Sequence, residues 1–350
     1  MVGAVLAAVA CVGAAGLWGG GVHAAEPAKT PVRVGLLVTG STSDGGWNAL
    51  AADSLNKLAK DSGGTITPLV RQQVSKDAAA DTIRQFESRG YTALIAHGYE
   101  YLDVVKELTD PAKPNAVKMK IAVSGGDVDS PHFQSLFYDL SQASYQLGVI
   151  AGKVSKTGKI AFVGGAPFPT VTSMKRGFEA GAKSVNPNIT VAEQYTGWDD
   201  PGKAKKQVEA FIGQGCDVIM QNVDAASSGV FEAVKEHNAR NKILPIDIKN
   251  PPVWVYTFGA NSDQNGNAAA SEYTLASAVI KMDKAFGDFV KTVQAGTFKG
   301  GVVKEDIASG VSVAVLNPRL VGKVIDEATQ KLVDEAGKKL AAGEIKIPTQ

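Results

Sequence analysis

Short apolar runs recur along the chain, each followed by a stretch with helical spacing. Val32-Arg33-Val34-Gly35-Leu36-Leu37-Val38 is the first of these runs, and its near-continuous apolar character predicts a buried strand. A Gly/Ser/Asp loop follows, then helical spacing over 47–60. Strands are predicted at 65–70, 93–96 and 119–123, with helices at 78–89 and around 104–108. This alternation implies a parallel sheet covered on both faces by helices. The pattern then restarts with a long helical segment over Ser141–Val154. Strands at 159–163, 190–193, 218–221 and 253–258 alternate there with helices at 171–182, 202–212 and 229–236. Two arrays of similar size predict an α/β chain of two parallel-sheet lobes. A late helix over 275–293 is expected to cross back to the first lobe, and the charged, Ala-rich stretch 321–340 to form a last amphipathic helix. The N-terminal lobe is thus expected at 31–145 plus about 272–300, and the C-terminal lobe at 146–271. Residues 301–350 are left as a hinge-crossing strand and C-terminal helix without an assigned lobe.

Residues 2–22 form a different pattern, almost wholly apolar and rich in Ala, Gly and Val. Val22-His23-Ala24 resembles a small-residue cleavage site, and polar sequence begins at Ala25-Glu26-Pro27. A secretory signal peptide over 1–25 and a periplasmic mature protein are expected. A lipid anchor at Cys11 is not, since Ala8-Val9-Ala10 before it lacks the usual Leu. The total of 350 residues exceeds what one hydrophobic core usually fills, which agrees with two lobes. A formal net charge of +1 offers no basic footprint for nucleic acid or a membrane surface. Two cysteines make no disulfide framework or zinc cluster, and Cys216, leading into an apolar strand, reads as a buried structural thiol.

In open parallel sheets, ligands bind beyond the carboxyl ends of the strands. The loops at those ends hold most of the unusual polar and aromatic residues. Asp44-Gly45-Gly46-Trp47-Asn48, in which Asp44 is also a candidate ligand contact, follows the first strand and matches neither the Walker nor the dinucleotide spacing. Trp47 can cover a planar ligand or pack under its own loop, and Asn48 offers a donor and an acceptor. Trp198, in the equivalent loop Gly197-Trp198-Asp199-Asp200, stands ready to approach from the other lobe, although Asp199 also reads as a helix cap. Asp127 ends the fourth strand, and Asn222, Asp224 and Asn261 end strands of the second lobe; each reads as a ligand contact or as a turn or cap residue. His97 reads as structural, and Trp254, within strand context, as core. No Ser–His–acid, Cys–His or metal-ligand constellation stands out, so neither catalysis nor a cofactor is expected.

Four stretches together resemble the basic membrane protein family, the purine-nucleoside-receptor type of ABC substrate-binding protein. They are the Asp44–Asn48 loop, Lys156-Thr157-Gly158-Lys159 with Gly164-Gly165, Arg176-Gly177-Phe178-Glu179-Ala180-Gly181-Ala182, and Gly259-Ala260-Asn261-Ser262-Asp263-Gln264. The resemblance runs from about Val32 to Leu320. It implies a type I periplasmic-binding-protein fold, two lobes joined by a three-crossover hinge, with a purine base or nucleoside clamped between them. It also implies a membrane permease as partner and a monomeric binding protein. The family's aromatic and Asn after the first strand correspond to Trp47 and Asn48, and its acidic residue after the fourth to Asp127. Where the family carries a ribose-gripping carboxylate this chain has Asn261, and the aromatic expected near Gln221-Asn222 is absent, with Trp198 a substitute from the adjacent loop. A free base therefore stands level with a nucleoside, and a sugar or furanosyl signalling molecule is the alternative ligand.

Overall fold

The computed structural model describes residues 30–243 and 252–348; the expected signal segment, its cleavage site and Cys11 lie outside them. The first array comprises β1 (Val32–Val38), α1 (Trp47–Asp61), β2 (Ile66–Arg71), α2 (Lys76–Ser88), β3 (Ala93–His97), α3 (Leu102–Thr109), β4 (Lys120–Ser124) and β5 (Gln134–Tyr138). The second begins with α4 (Ser141–Val154), β6 (Lys159–Gly164), α5 (Pro169–Val185), β7 (Thr190–Tyr195) and α6 (Pro201–Gly213). It continues through β8 (Val218–Asn222), α7 (Ser227–Ile243), β9 (Tyr256–Asn261) and β10 (Thr274–Ile280). The chain closes with α8 (Met282–Gln294), β11 (Gly301–Glu305), β12 (Ser312–Leu316) and α9 (Glu327–Ala341).

These strands form two six-stranded sheets, β11-β5-β4-β3-β1-β2 and β12-β10-β9-β8-β6-β7. Every pairing is parallel except that of β10 with the edge strand β12. The sheet order makes the chain pass between lobes three times: from β5 to β6, from β10 to β11, and from β11 to β12. In β3 all five residues are buried, as expected of a central parallel strand with helices on both faces. The Lys156–Lys159 and Arg176–Ala182 stretches prove to be scaffold. Ser155 Oγ and the Lys156 and Thr157 amides donate to the buried Asp217 carboxylate at 2.6, 2.6 and 3.0 Å, which pins the loop entering β6. Gly177 and Gly181 let α5 lie against α4 so closely that a Cβ on either would meet the Ser141 or Tyr145 carbonyl oxygen at 1.9 Å.

The structure corrects two expectations. Residues 274–280 are a strand of the second sheet, so the return to the first lobe comes at α8, which packs on α1 and is tied to it by Lys57–Asp283 at 2.8 Å. A short run buried on both faces carries no period that separates helix from strand, which explains the misplacement. Helix α4 packs against α5, and α9 covers it through Gln146 Nε2 donating to the Val333 carbonyl at 2.9 Å. Trp254 is not core: it precedes β9, is 37% exposed, and stacks on Tyr273. Cys216 is buried, as expected of a structural thiol. No helix among the described residues is long and apolar enough to cross a membrane.

Candidate ligand-binding cleft

Between the lobes, beyond the carboxyl ends of β1, β3, β6, β8 and β9, lies a cavity of about 300 Å³. That volume falls at the lower end of small-ligand sites, about 300–1,000 Å³. Its lining includes Asp44, Trp47, Asn48, Tyr99 and Glu100 from the first lobe and Phe168, Trp198, Asp199, Asn222, Asp224 and Asn261 from the second.

On the first-lobe side, Asp44 organises the loop between β1 and α1. Its carboxylate accepts from the Gly46, Asn48 and Ala49 amides at 2.9, 3.1 and 2.9 Å and from Asn48 Nδ2 at 2.8 Å. It thereby occupies the electropositive start of α1. Asn48 Oδ1 in turn accepts from the Gly40 amide at 3.3 Å, so this side chain builds the loop with both ends of its amide. Trp47 stacks on His97, ring centroids 4.1 Å apart, with Tyr138 against its edge. His97 is fully buried, and that burial pushes its imidazole down to about 3, leaving it neutral. Its Nε2 faces the Trp47 carbonyl at 3.1 Å, which can only accept, so the proton resides there. Nδ1 then accepts from Ser124 Oγ at 2.8 Å, and Ser124 Oγ accepts from Tyr138 OH at 2.8 Å. This relay fixes the plane of the Trp47 indole.

On the second-lobe side, the Trp198 indole lies flat on the Gly165 backbone, where a Cβ would meet the ring at 2.2 Å. Phe168 stacks on Trp198 at 6.0 Å, and Tyr99 of the first lobe stacks on Phe168 at 5.7 Å, a run of three aromatics across the seam. Asn261, held at φ 65°, donates through Nδ2 to Asn222 Oδ1 and Asp224 Oδ1, both at 3.2 Å. Asn222 Nδ2 points at Met174 Sδ, 3.3 Å away. Asp224, with φ 45°, abuts Gly46 of the opposite lobe. Gln264 supports this corner by accepting from Gln221 Nε2 at 2.9 Å and from the Ala260 amide at 3.0 Å.

Asp44, Trp47, Asn48, Trp198, Asn222, Asp224 and Asn261 therefore line one cavity. Asp127 does not. The chain turns at Gly125, φ 89°, which itself lines the cavity, and carries Asp127 out to an exposed position. Sequence reasoning did not single out Tyr99, Glu100, Phe168 or Thr170, although Tyr99 and Phe168 are aromatics in strand-end loops, the signal that marked the two tryptophans. Among the described residues no group of three or more His, Cys, Asp or Glu is placed to hold a metal ion.

The family model for ABC transporter substrate-binding proteins of the PnrA-like type, Bmp, matches residues 31–350. The chain belongs to this family. It is 26% identical over 338 residues to the ABC transporter nucleoside-binding protein BmpA of Lactococcus lactis, across 92% of this chain and 90% of that one. It is also 26% identical over 333 residues to a purine-binding protein of Brucella abortus, across 93% of this chain and 85% of that one. Among solved structures, an ABC transporter solute-binding protein of Aeropyrum pernix superposes with a TM-score of 0.77 at 20% identity, covering 91% of this chain and 94% of that one. At that identity the likeness speaks for the fold, and the fold is the type I periplasmic-binding one. As a Bmp-family substrate-binding protein, the chain has a small-molecule ligand and a membrane permease as its partners.

Proposed function

We propose that this Bmp-family protein captures a purine base or nucleoside in the interlobe cleft and presents it to an ABC permease, acting in the periplasm as a monomer after export by residues 1–25. The cleft lining carries the proposal: Trp47, Tyr99, Phe168 and Trp198 supply flat apolar faces, and Asn222, Asp224 and Asn261 supply donors and acceptors beside them. A planar heterocycle with polar edges matches both sets. The names of the nucleoside-binding and purine-binding relatives support the same class. In this reading Trp47 and Trp198 stack, the Asn222–Asp224–Asn261 corner reads polar atoms, and Asp44 and Asn48 hold the Trp47 loop. Asp127 stays a rim residue without ligand contact.

Capture proceeds without turnover: Asp44 is bonded to Asn48, and Asn261 to Asn222 and Asp224, and none of them is set on an activated nucleophile. The test is the ligand itself. Protein purified from a cell that exports it is denatured, and the released small molecule is scanned by absorbance and weighed by mass spectrometry. A chromophore near 260 nm with the mass of an intact purine is expected. A transparent sugar, or a purine altered by repeated turnover, would overturn the proposal.

A further inference from the structure

Lobe contact brings one carboxylate into a cleft where, among the described residues, no cation meets it. Asp224 starts the turn after β8, and a Cβ added to Gly46 of the opposite lobe would lie 3.1 Å from its Cα, so the residue sits on the seam itself. Its Oδ1 accepts from Asn261 Nδ2 at 3.2 Å, and Oδ2 has no protein donor among the described residues. The charged groups facing it are Asp44 from the β1–α1 loop, Asp199 from the β7–α6 loop and Glu100 after β3, all acidic. Among the described residues, no Lys, Arg or His lines the cavity. Asp44 is satisfied by the N–H donors of its own loop, whereas Asp224 has a single amide donor. Burial, reinforced by the charges of Asp44 and Asp199 and only partly opposed by the Asn261 hydrogen bond, pushes the Asp224 carboxyl up to about 7.

We propose that Asp224 determines specificity as a neutral acid: in the closed cleft its protonated carboxyl donates to an acceptor atom of the ligand, and capture takes up one proton. The inference rests on the cleft being the ligand site, and it names what the ligand presents there, a ring nitrogen or a carbonyl oxygen with a free lone pair. The proton comes from solvent as the lobes close and returns when they open. The sign follows from linkage. With the lobes apart, Asp224 is solvated and ionises in the ordinary carboxylate range; closing raises its affinity for the proton. The closed state therefore holds more protons, and ligand affinity rises as pH falls below about 7. The limit is tenfold per pH unit, and the gain is about thirtyfold between pH 8.0 and 5.5.

Titration calorimetry with adenosine and with adenine at pH 5.5, 7.0 and 8.0, in buffers of different ionisation enthalpy, tests the proposal on the wild type, Asp224→Asn and Asp224→Ala. Expected in the wild type are binding at least tenfold tighter at pH 5.5 than at 8.0 and uptake of about one proton at pH 5.5, falling toward none at pH 8.0. Asp224→Asn, which keeps a donor, should be independent of pH and no weaker than wild type at pH 8.0, with Asp224→Ala weak throughout. Affinity that is flat or rises with pH, or loss in Asp224→Asn equal to that in Asp224→Ala, would overturn the proposal while leaving a purine ligand intact. If neither purine binds at any pH, the ligand reading fails, and X-ray scattering of the unliganded protein decides the coupling. Compaction at pH 5.5 in the wild type, and at both pH values in Asp224→Asn, supports it; scattering that ignores pH in both proteins rejects it.

Discussion

Stacking on His97 and the hydrogen bond to its own carbonyl hold Trp47 in one orientation, so its free face is presented to the cleft without an ordering cost on binding. Loss of a base–aromatic stack costs roughly 1–3 kcal/mol, and about 1.4 kcal/mol within that range is tenfold in affinity. Trp47→Ala is expected to weaken purine binding by that factor with unchanged circular dichroism, and Trp198→Ala likewise; purine affinity equal to wild type in both would remove the stacking role. The His97 relay has a thermodynamic signature of its own. Because its imidazole is held near 3 when folded, against an ordinary value of 6.5, the unfolded chain binds the extra proton. Its contribution is complete above about pH 6.5 and falls as pH drops toward 3, by roughly 2 kcal/mol at pH 5. Denaturant unfolding at pH 7 and 5 should show that loss in the wild type and a smaller one in His97→Gln; equal losses would mean that the imidazole is charged in the fold. Trp47, Trp198 and the strand-end Asn and Asp residues were legible because few residue types suit an open loop at a strand's carboxyl end. Asp127 misled because its strand-end position was right, yet the turn at Gly125 takes the next side chain away from the cleft. The inward duty of Asn48, bonded to Asp44 and Gly40, depends on loop closure that no spacing rule reveals.

At the scale of elements, the α4–α5 contact carries the clearest consequence. A methyl group on Gly177 would sit 1.9 Å from the Ser141 oxygen, so the two helices must separate to admit it. Such overpacking typically costs 1–3 kcal/mol. Gly177→Ala should lower the urea midpoint accordingly, whereas Gly213→Ala, with no atom within 4 Å of the added Cβ, should leave it unchanged or raise it slightly. Equal behaviour of the two variants would contradict the close contact. The Arg-Gly-Phe-Glu-Ala-Gly and Lys-Thr-Gly-Lys stretches that point to the family thus serve helix packing and loop anchoring, and none of their residues lines the cavity. In the first lobe β1 to β4 and α1 to α3 were legible from apolar runs and helical spacing, whereas β5 was not anticipated. β10 was not, because a largely buried seven-residue run looks the same in either geometry until its neighbours are known. The short edge strands β11 and β12 alternate or carry intermediate burial and depend on pairing partners distant in sequence.

Across the whole molecule, three passages of the chain join two sheets whose strands end on a common cleft, an arrangement that permits closing by rigid-body motion about a few linking residues. Repetition of the strand–helix pattern made the two lobes legible, but the lobe to which each late element belongs follows from pairing and packing: β10 and β12 go with the second sheet, and α8 and β11 with the first lobe. Ligand should favour the closed form, in which Tyr99, Phe168 and Trp198 stack across the seam. The central claim is that this seam holds a purine. Calorimetric titration of ligand-free protein with adenosine, adenine and glucose tests it most directly. One saturating site for at least one purine, none for glucose, and at least a tenfold loss in Trp198→Ala are the expected results. Saturable binding of glucose with no heat from either purine would contradict the account.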